Sequence, residues 1–277
     1  MFRVCRQKGV NMSLAMMVNY AAGTLTGMCQ LLLNKQSVPS LCGEDCAAPL
    51  ILAFFIGFLY VTGFVVRDSC TRKCGVALTT VSARAALLVP TTLSWMFLGE
   101  KHPVWLAVVL VMVSLVLMAG PQCRPDGRTS AGIRTDLFIP LVGLFLIYGF
   151  CDFSLKLVQH LADGAVSHYL VTMVVFGSAF ITSLFICVRK DVLKCRDFTW
   201  RELLSGSVIG LANSMCTVMV LNTLSQMPAT VFYALYNVCV VAVCTLTGVF
   251  IFKERLSWCH LLGIVSATAA IALVLFS

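Results

Sequence analysis

The sequence predicts an all-α polytopic membrane protein, with nine transmembrane helices drawn from an inverted five-plus-five helix repeat that lacks its first helix. Three observations carry that prediction. Hydrophobic residues make up 59% of the 277 positions and charged residues only 12%, about half the soluble norm of roughly 25%. So much apolar surface requires a lipid bilayer as its solvent. Second, nine apolar runs are each long enough to cross a bilayer as a helix. Third, one design appears twice. An apolar run ends in Gly99-Glu100-Lys101-His102 and a second run begins at Trp105, while near the C-terminus a run ends in Phe252-Lys253-Glu254-Arg255 and the next begins at Trp258. Glu100 and Glu254 lie 154 residues apart.

Charge and cysteine content exclude several classes. The formal net charge is +8, but the basic residues alternate from loop to loop and form no single patch, so they record membrane topology and not nucleic-acid binding. Of the fourteen cysteines, Cys29, Cys151, Cys187, Cys216, Cys239 and Cys244 fall within apolar runs, where cysteine acts as a small hydrophobe. Cys42/Cys46 and Cys70/Cys74 have a C-x-x-x-C spacing, not the C-x-x-C of zinc sites. No metal and no cofactor are expected.

In chain order, Met1 to Val10 is basic and apolar, with Arg3, Arg6 and Lys8. The run that follows, 12–33, contains Asn19, Tyr20 and Gln30 and lacks an A-x-A-like cleavage site, so it reads as a retained helix. Eight more spans are expected at 48–66, 76–98, 103–119, 137–158, 168–188, 203–222, 228–251 and 257–276. The resulting division is a first repeat of four helices over 1–120, a linker over 121–136 and a second repeat of five helices over 137–277.

The 154-residue spacing recurs: Gly23 matches Gly177, Ser13 matches Ser167, Asp68 matches Asn222, and Gly57 matches Gly210 with a slip of one residue. An odd-numbered repeat of five helices places its two copies in opposite orientations. Inverted repeats enclosing a site near the midplane are typical of secondary transporters.

These residues resemble a known group. The pattern of an apolar helix ending in (G/K)-E-(K/R), then a Trp-containing helix start and a Gly/Ala-rich span, twice over, is similar to the EamA-type drug/metabolite transporter superfamily. Ser82-Ala-Arg84-Ala-Ala-Leu-Leu-Val-Pro90 and Val18-Asn19-Tyr20 are similar to that group too. The resemblance covers nearly the whole chain. It implies ten helices in two inverted bundles, a central substrate cavity, and alternating-access transport of a small metabolite or drug-like molecule, often outward, here across a bacterial inner membrane. It does not specify the substrate. This chain departs from the pattern in having nine spans.

The polar residues within the spans fall on faces. Asn19, Gly23, Thr26 and Gln30 share one. Thr80, Arg84, Thr91 and Trp95 share another, Tyr148, Asp152 and Lys156 a third, Gly206, Gly210, Asn213 and Thr217 a fourth, and Thr230, Tyr233 and Asn237 a fifth. Either these faces converge on a wet cavity, or they are helix–helix glue. Arg84 stands apart, because an arginine at mid-span costs about 2.5–3.5 kcal/mol on insertion scales and so needs a partner or water. Asp152, the one acid well inside a predicted span, is its expected partner. The pair locks the fold, or Arg84 attracts an anionic substrate group, or Asp152 carries a coupling proton. Lys156, near its helix end, is expected to snorkel. Glu100 and Glu254 are expected at turns or interfaces. The cavity candidates are therefore Arg84, Asp152, Asn19, Tyr148, Asn213, Tyr233, Asn237 and Thr80.

Other classes fit less well. No D-D-x-x-D, H-E-x-x-H or G-x-S-x-G occurs, which leaves an intramembrane transferase without a recognisable catalytic motif as the runner-up. Alternate loops carry 16 and 3 Lys and Arg residues, so the positive-inside rule places the N-terminus in the cytoplasm and the C-terminus outside. Subtracting the repeat from 137–158 leaves only Met1 to Val4 of the equivalent first helix. A misassigned start is the preferred explanation, because a lost helix would expose Asn19 and Gln30 to lipid. In a true nine-helix variant the gap is filled by lipid or by a second subunit of a homodimer.

Overall fold

The computed structural model describes residues 11–33, 44–74, 76–100, 105–118, 135–162, 166–189 and 200–250, with 262, 265–266, 269 and 273. Every element among them is helical: α1 (Met12–Leu33), α2 (Glu44–Cys74), α3 (Val76–Ala85), α4 (Leu88–Leu98), α5 (Trp105–Met118), α6 (Thr135–Ala162), α7 (His168–Arg189), α8 (Trp200–Leu224) and α9 (Ala229–Phe250). Eight of the nine expected spans are represented by these elements, α3 and α4 sharing one, while 257–276 lies outside the described residues apart from isolated positions.

Among the described residues four helices are long and apolar enough to cross a membrane: α2 over Cys46–Lys73, α6 over Ile139–Ala162, α7 and α8. Their outward surfaces are apolar as well. Ile51, Phe54 and Phe55 on α2, Ile181 and Phe185 on α7, and Val208 and Leu211 on α8 are all exposed. Apolar surface on this scale marks a membrane protein. Helix α2 outruns its expected limits because the polar tail continues the helical turn. Arg72 Nη2 pairs with Asp68 Oδ2 one turn earlier at 2.7 Å, a spacing that supports exposed helix ends.

The third expected span is not one helix. It breaks at Ala86–Leu87 into α3 and α4, and the cause is in the sequence. Pro90 has no N–H to offer the Ala86 carbonyl four residues back, so Val89 N bonds Ala86 O instead at 3.0 Å, and Leu87 N bonds Arg84 O at 3.2 Å. These i→i+3 bonds tighten the turn and rotate α4 relative to α3. The predicted face of Thr80, Arg84, Thr91 and Trp95 is therefore divided, the first two residues on α3 and the last two on α4. Helix α4 ends at Gly99, whose φ of 64° is the left-handed terminator that glycine permits.

The chain forms two compact units, Met1–Thr62 with Ser154–Gln226, and Gly63–Phe153 with Met227–Ser277. Each unit draws on both halves of the sequence. Of the expected linker 121–136, only its last two residues are described, and they begin α6.

In the first unit α1 packs on α7 and α8, and glycines set how closely. A Cβ on Gly210 of α8 would meet the Asn19 carbonyl oxygen and the Ala22 methyl of α1, and one on Gly206 would meet Val18 and Ala15. On the other side, a Cβ on Gly57 of α2 would strike Val175 O, Ser178 and Ala179 of α7. At the α1–α7 crossing, Gly23 faces Phe176, and Gly177 faces Thr24 at 3.8 Å. In the second unit α9 packs on α4 and α5, and α3 on α5. Gly149 of α6 lies against Val89 and Ala86 at the helix break.

Candidate functional site

Arg84 occupies the last turn of α3, two residues before the break. Its guanidinium carbon lies 5.6 Å from the centre of the Tyr236 ring on α9, within cation–π range. The expected partner, Asp152, belongs to the same unit. The two are not in contact, however: among the described residues no ion pair within 4.0 Å joins them. Both side chains are partly buried. An arginine and an aspartate thus stand in one unit without a direct ion pair between them.

Helix α9 ties this arrangement together. Tyr233 donates its hydroxyl to the Asp152 carbonyl oxygen at 2.6 Å. One turn later Asn237 donates Nδ2 to the Tyr233 carbonyl at 2.9 Å. Asn237 is only 4% exposed, and its Oδ1 has no hydrogen-bond partner among the described residues. Tyr236 lies between them in sequence and stacks on Phe232 with centroids 5.7 Å apart. Positions 233, 236 and 237 follow i, i+3, i+4, so one face of α9 reaches both charged residues.

Tyr148, one turn before Asp152 on α6, accepts a hydrogen bond from Arg67 Nη1 at 3.3 Å, and Arg67 sits 5.9 Å from its ring centre. Thr80 is partly buried one turn before Arg84 on α3. Six of the expected cavity residues, Arg84, Asp152, Tyr148, Tyr233, Asn237 and Thr80, therefore belong to the second unit.

Asn19 and Asn213 belong to the first unit. They bond each other, Asn213 Nδ2 donating to Asn19 Oδ1 at 2.9 Å. Beside Gly206 and Gly210 this bond joins α8 to α1, a contact of the kind polar side chains make between membrane helices. The predicted strip of Tyr148, Asp152 and Lys156 is divided in the same way. Lys156 belongs to the first unit and does not snorkel. It is 7% exposed and donates Nζ to the Leu224 carbonyl, the last of α8, at 3.0 Å. A helix end with unpaired carbonyls is a natural seat for a cation.

Glu100 takes the interface place expected of it. Its Oε2 accepts the Ala229 N–H at 2.9 Å, at the first residue of α9. Glu254 lies outside the described residues. Three side chains in these contacts are not marked by the sequence pattern. Glu202, 1% exposed, accepts the Asn11 N–H through Oε1 at 3.0 Å; hydropathy places it one residue outside its span. Tyr236 is hidden beside Asn237, although the i+3 step from Tyr233 points to it. Arg67 stands in a predicted loop. Among the described residues no group of three or more His, Cys, Asp or Glu is placed to hold a metal ion.

No family model matches the chain. An uncharacterized protein of Haemophilus influenzae is 24% identical over 237 residues, spanning 81% of this chain and 74% of that relative. A solved crystal structure aligns with a TM-score of 0.75 at 12% identity, covering 96% of this chain and 89% of its own. At that identity the likeness is one of fold.

Proposed function

We propose that the chain is a secondary transporter that moves a small molecule across a cell membrane by alternating access, in the manner of the EamA-type drug/metabolite transporters it resembles. The observation that carries this reading is Arg84. A guanidinium in a membrane-spanning region, beside a helix break and against a tyrosine ring, has no protein anion in contact with it among the described residues. Intramembrane charges of this kind mark substrate or ion pathways, and broken helices commonly line them. The substrate's charged group completes what the protein leaves open.

The contacts of the first unit support an inverted repeat. Gly23 and Gly177, matched at 154 residues, meet at one helix crossing, and each faces the residue next to its counterpart. Gly57 and Gly210 likewise admit close approach, one to α7 and the other to α1. Such reciprocity is what a pseudo-two-fold axis between inverted copies produces. We read the architecture accordingly as nine transmembrane helices with a cytoplasmic N-terminus, following the bias in loop charge, in a bacterial inner membrane and working as an exporter.

The test is purified full-length protein in proteoliposomes, screened by counterflow with labelled metabolites. Uptake of an unmodified solute is expected, lost in Arg84→Ala while that variant still inserts and purifies as a folded protein. Chemical conversion of a solute without uptake would replace the transporter with an intramembrane transferase. Orientation is checked with a variant retaining Cys42 as its single cysteine, which an impermeant maleimide should label from outside the cell.

A further inference from the structure

We infer that the site on α3, α6 and α9 takes a small zwitterion, its anionic group on Arg84 and its protonated nitrogen shared by Asp152 and Asn237. This rests on the reading of Arg84 and Asp152 as the substrate site. Three groups there have chemistry the protein leaves unsatisfied. The Arg84 guanidinium has donors and only the Tyr236 ring as a described contact. The Asp152 carboxylate accepts no described hydrogen bond, because Tyr233 binds the backbone carbonyl of that residue and not its side chain. Asn237 Oδ1 is a buried acceptor without a described donor. One donor array and two acceptors, one of them charged, are complementary to a molecule bearing an anion and an ammonium.

Simpler ligands fit this arrangement worse. An anion alone would engage Arg84 but offer no donor to Asp152 or to the buried Asn237 Oδ1. A cation alone would satisfy Asp152 and Asn237 but meet the Arg84 charge. A zwitterion leaves the net charge of the site unchanged and supplies every missing partner. Tyr233, bonded to the Asp152 backbone at 2.6 Å, holds the acidic side of the site in place. The Tyr236 ring beneath Arg84 adds a flat apolar surface.

The test uses purified full-length protein and compounds matched in skeleton: the zwitterions 4-aminobutanoate and 4-(aminomethyl)benzoate, the anions butanoate and 4-methylbenzoate, and the cations butylamine and 4-methylbenzylamine. Binding is read by isothermal titration and by the shift in unfolding temperature. At least one zwitterion should bind at least about tenfold more tightly than its anion and its cation, the scale of one charged hydrogen-bonded contact. Arg84→Gln and Asp152→Asn should each weaken that zwitterion by about tenfold or more. Arg84→Lys, which keeps the charge, should retain the preference and serves as the variant to read if Arg84→Gln does not fold. An anion that binds as well as its zwitterion, or no binding by any of the six, overturns the assignment. Anion-only binding with transport would leave the transporter standing without the zwitterion. Zwitterion binding without transport of the labelled compound would do the reverse.

Discussion

Lys156 donates its ammonium to the carbonyl oxygen of Leu224 at 3.0 Å, within the first unit and almost fully buried. The contact ends α8 with a cation, where the helix presents its unpaired carbonyls. Lys156→Met keeps the apolar stem and removes the donor, leaving a buried carbonyl without it. Stability should fall by about 1–3 kcal/mol, read as a lower midpoint of thermal unfolding in detergent. An unchanged midpoint would show that the contact contributes nothing.

The N-terminus of α9 is held by the opposite charge. Glu100 accepts the Ala229 N–H at 2.9 Å, which serves one of the donors a helix start leaves open. Glu100→Ala should destabilise by about 0.5–2 kcal/mol, as loss of a cap does. Glu100→Gln, which keeps a carbonyl acceptor but loses the charge, should fall between it and the parent in the same unfolding assay.

The glycines separate by what stands opposite them. At Gly210 an added methyl meets the backbone carbonyl of Asn19, which cannot rotate away, so Gly210→Ala should lower the unfolding midpoint clearly. Gly177 has its nearest neighbour at 3.8 Å, and Gly143 has none within 4 Å. Gly177→Ala should be close to neutral, and Gly143→Ala should gain up to about 1 kcal/mol because alanine is the better helix former. Equal effects at 210 and 143 would refute the packing.

Pro90 creates the break beside Arg84. Pro90→Ala restores an N–H in reach of the Ala86 carbonyl and favours one continuous helix. Solute flux in proteoliposomes should drop even though the protein gains or keeps stability, since the turn that positions Arg84 is straightened. Full flux together with a continuous helix in a structure of the variant would show that the break is dispensable.

Parts of the site are legible along the chain itself. The cost of a mid-span arginine singles out Arg84, and the rarity of acids in spans singles out Asp152. Their relation is not legible there, because periodicity places residues on one face of one helix and says nothing about how far a neighbouring helix stands. The i+4 spacing joins Tyr148, Asp152 and Lys156 into one strip, yet α6 contributes to two packing units and divides it between Phe153 and Ser154. The face running from Thr80 to Trp95 is divided for a different reason. Proline in a membrane helix is tolerated as a kink or as a break, and which one results depends on what packs beside it, here Gly149 against Ala86 and Val89.

Composition and the length of the apolar runs are enough to decide the solvent and the class of structure. A chain with 59% hydrophobic and 12% charged residues, gathered in continuous apolar runs of helix-spanning length, satisfies its backbone in lipid by making helices, whose hydrogen bonds are internal to the segment. Which polar groups find one another is settled by packing between helices: Asn213 with Asn19, Lys156 with Leu224, Glu100 with Ala229, Tyr233 with Asp152, while Arg84 rests on a ring and not on an acid. The physical reason is reach. Each of these contacts is made by a side chain across a helix–helix gap whose width is set by glycines, a proline and the bulk of facing residues, none of which the pattern along a single helix records.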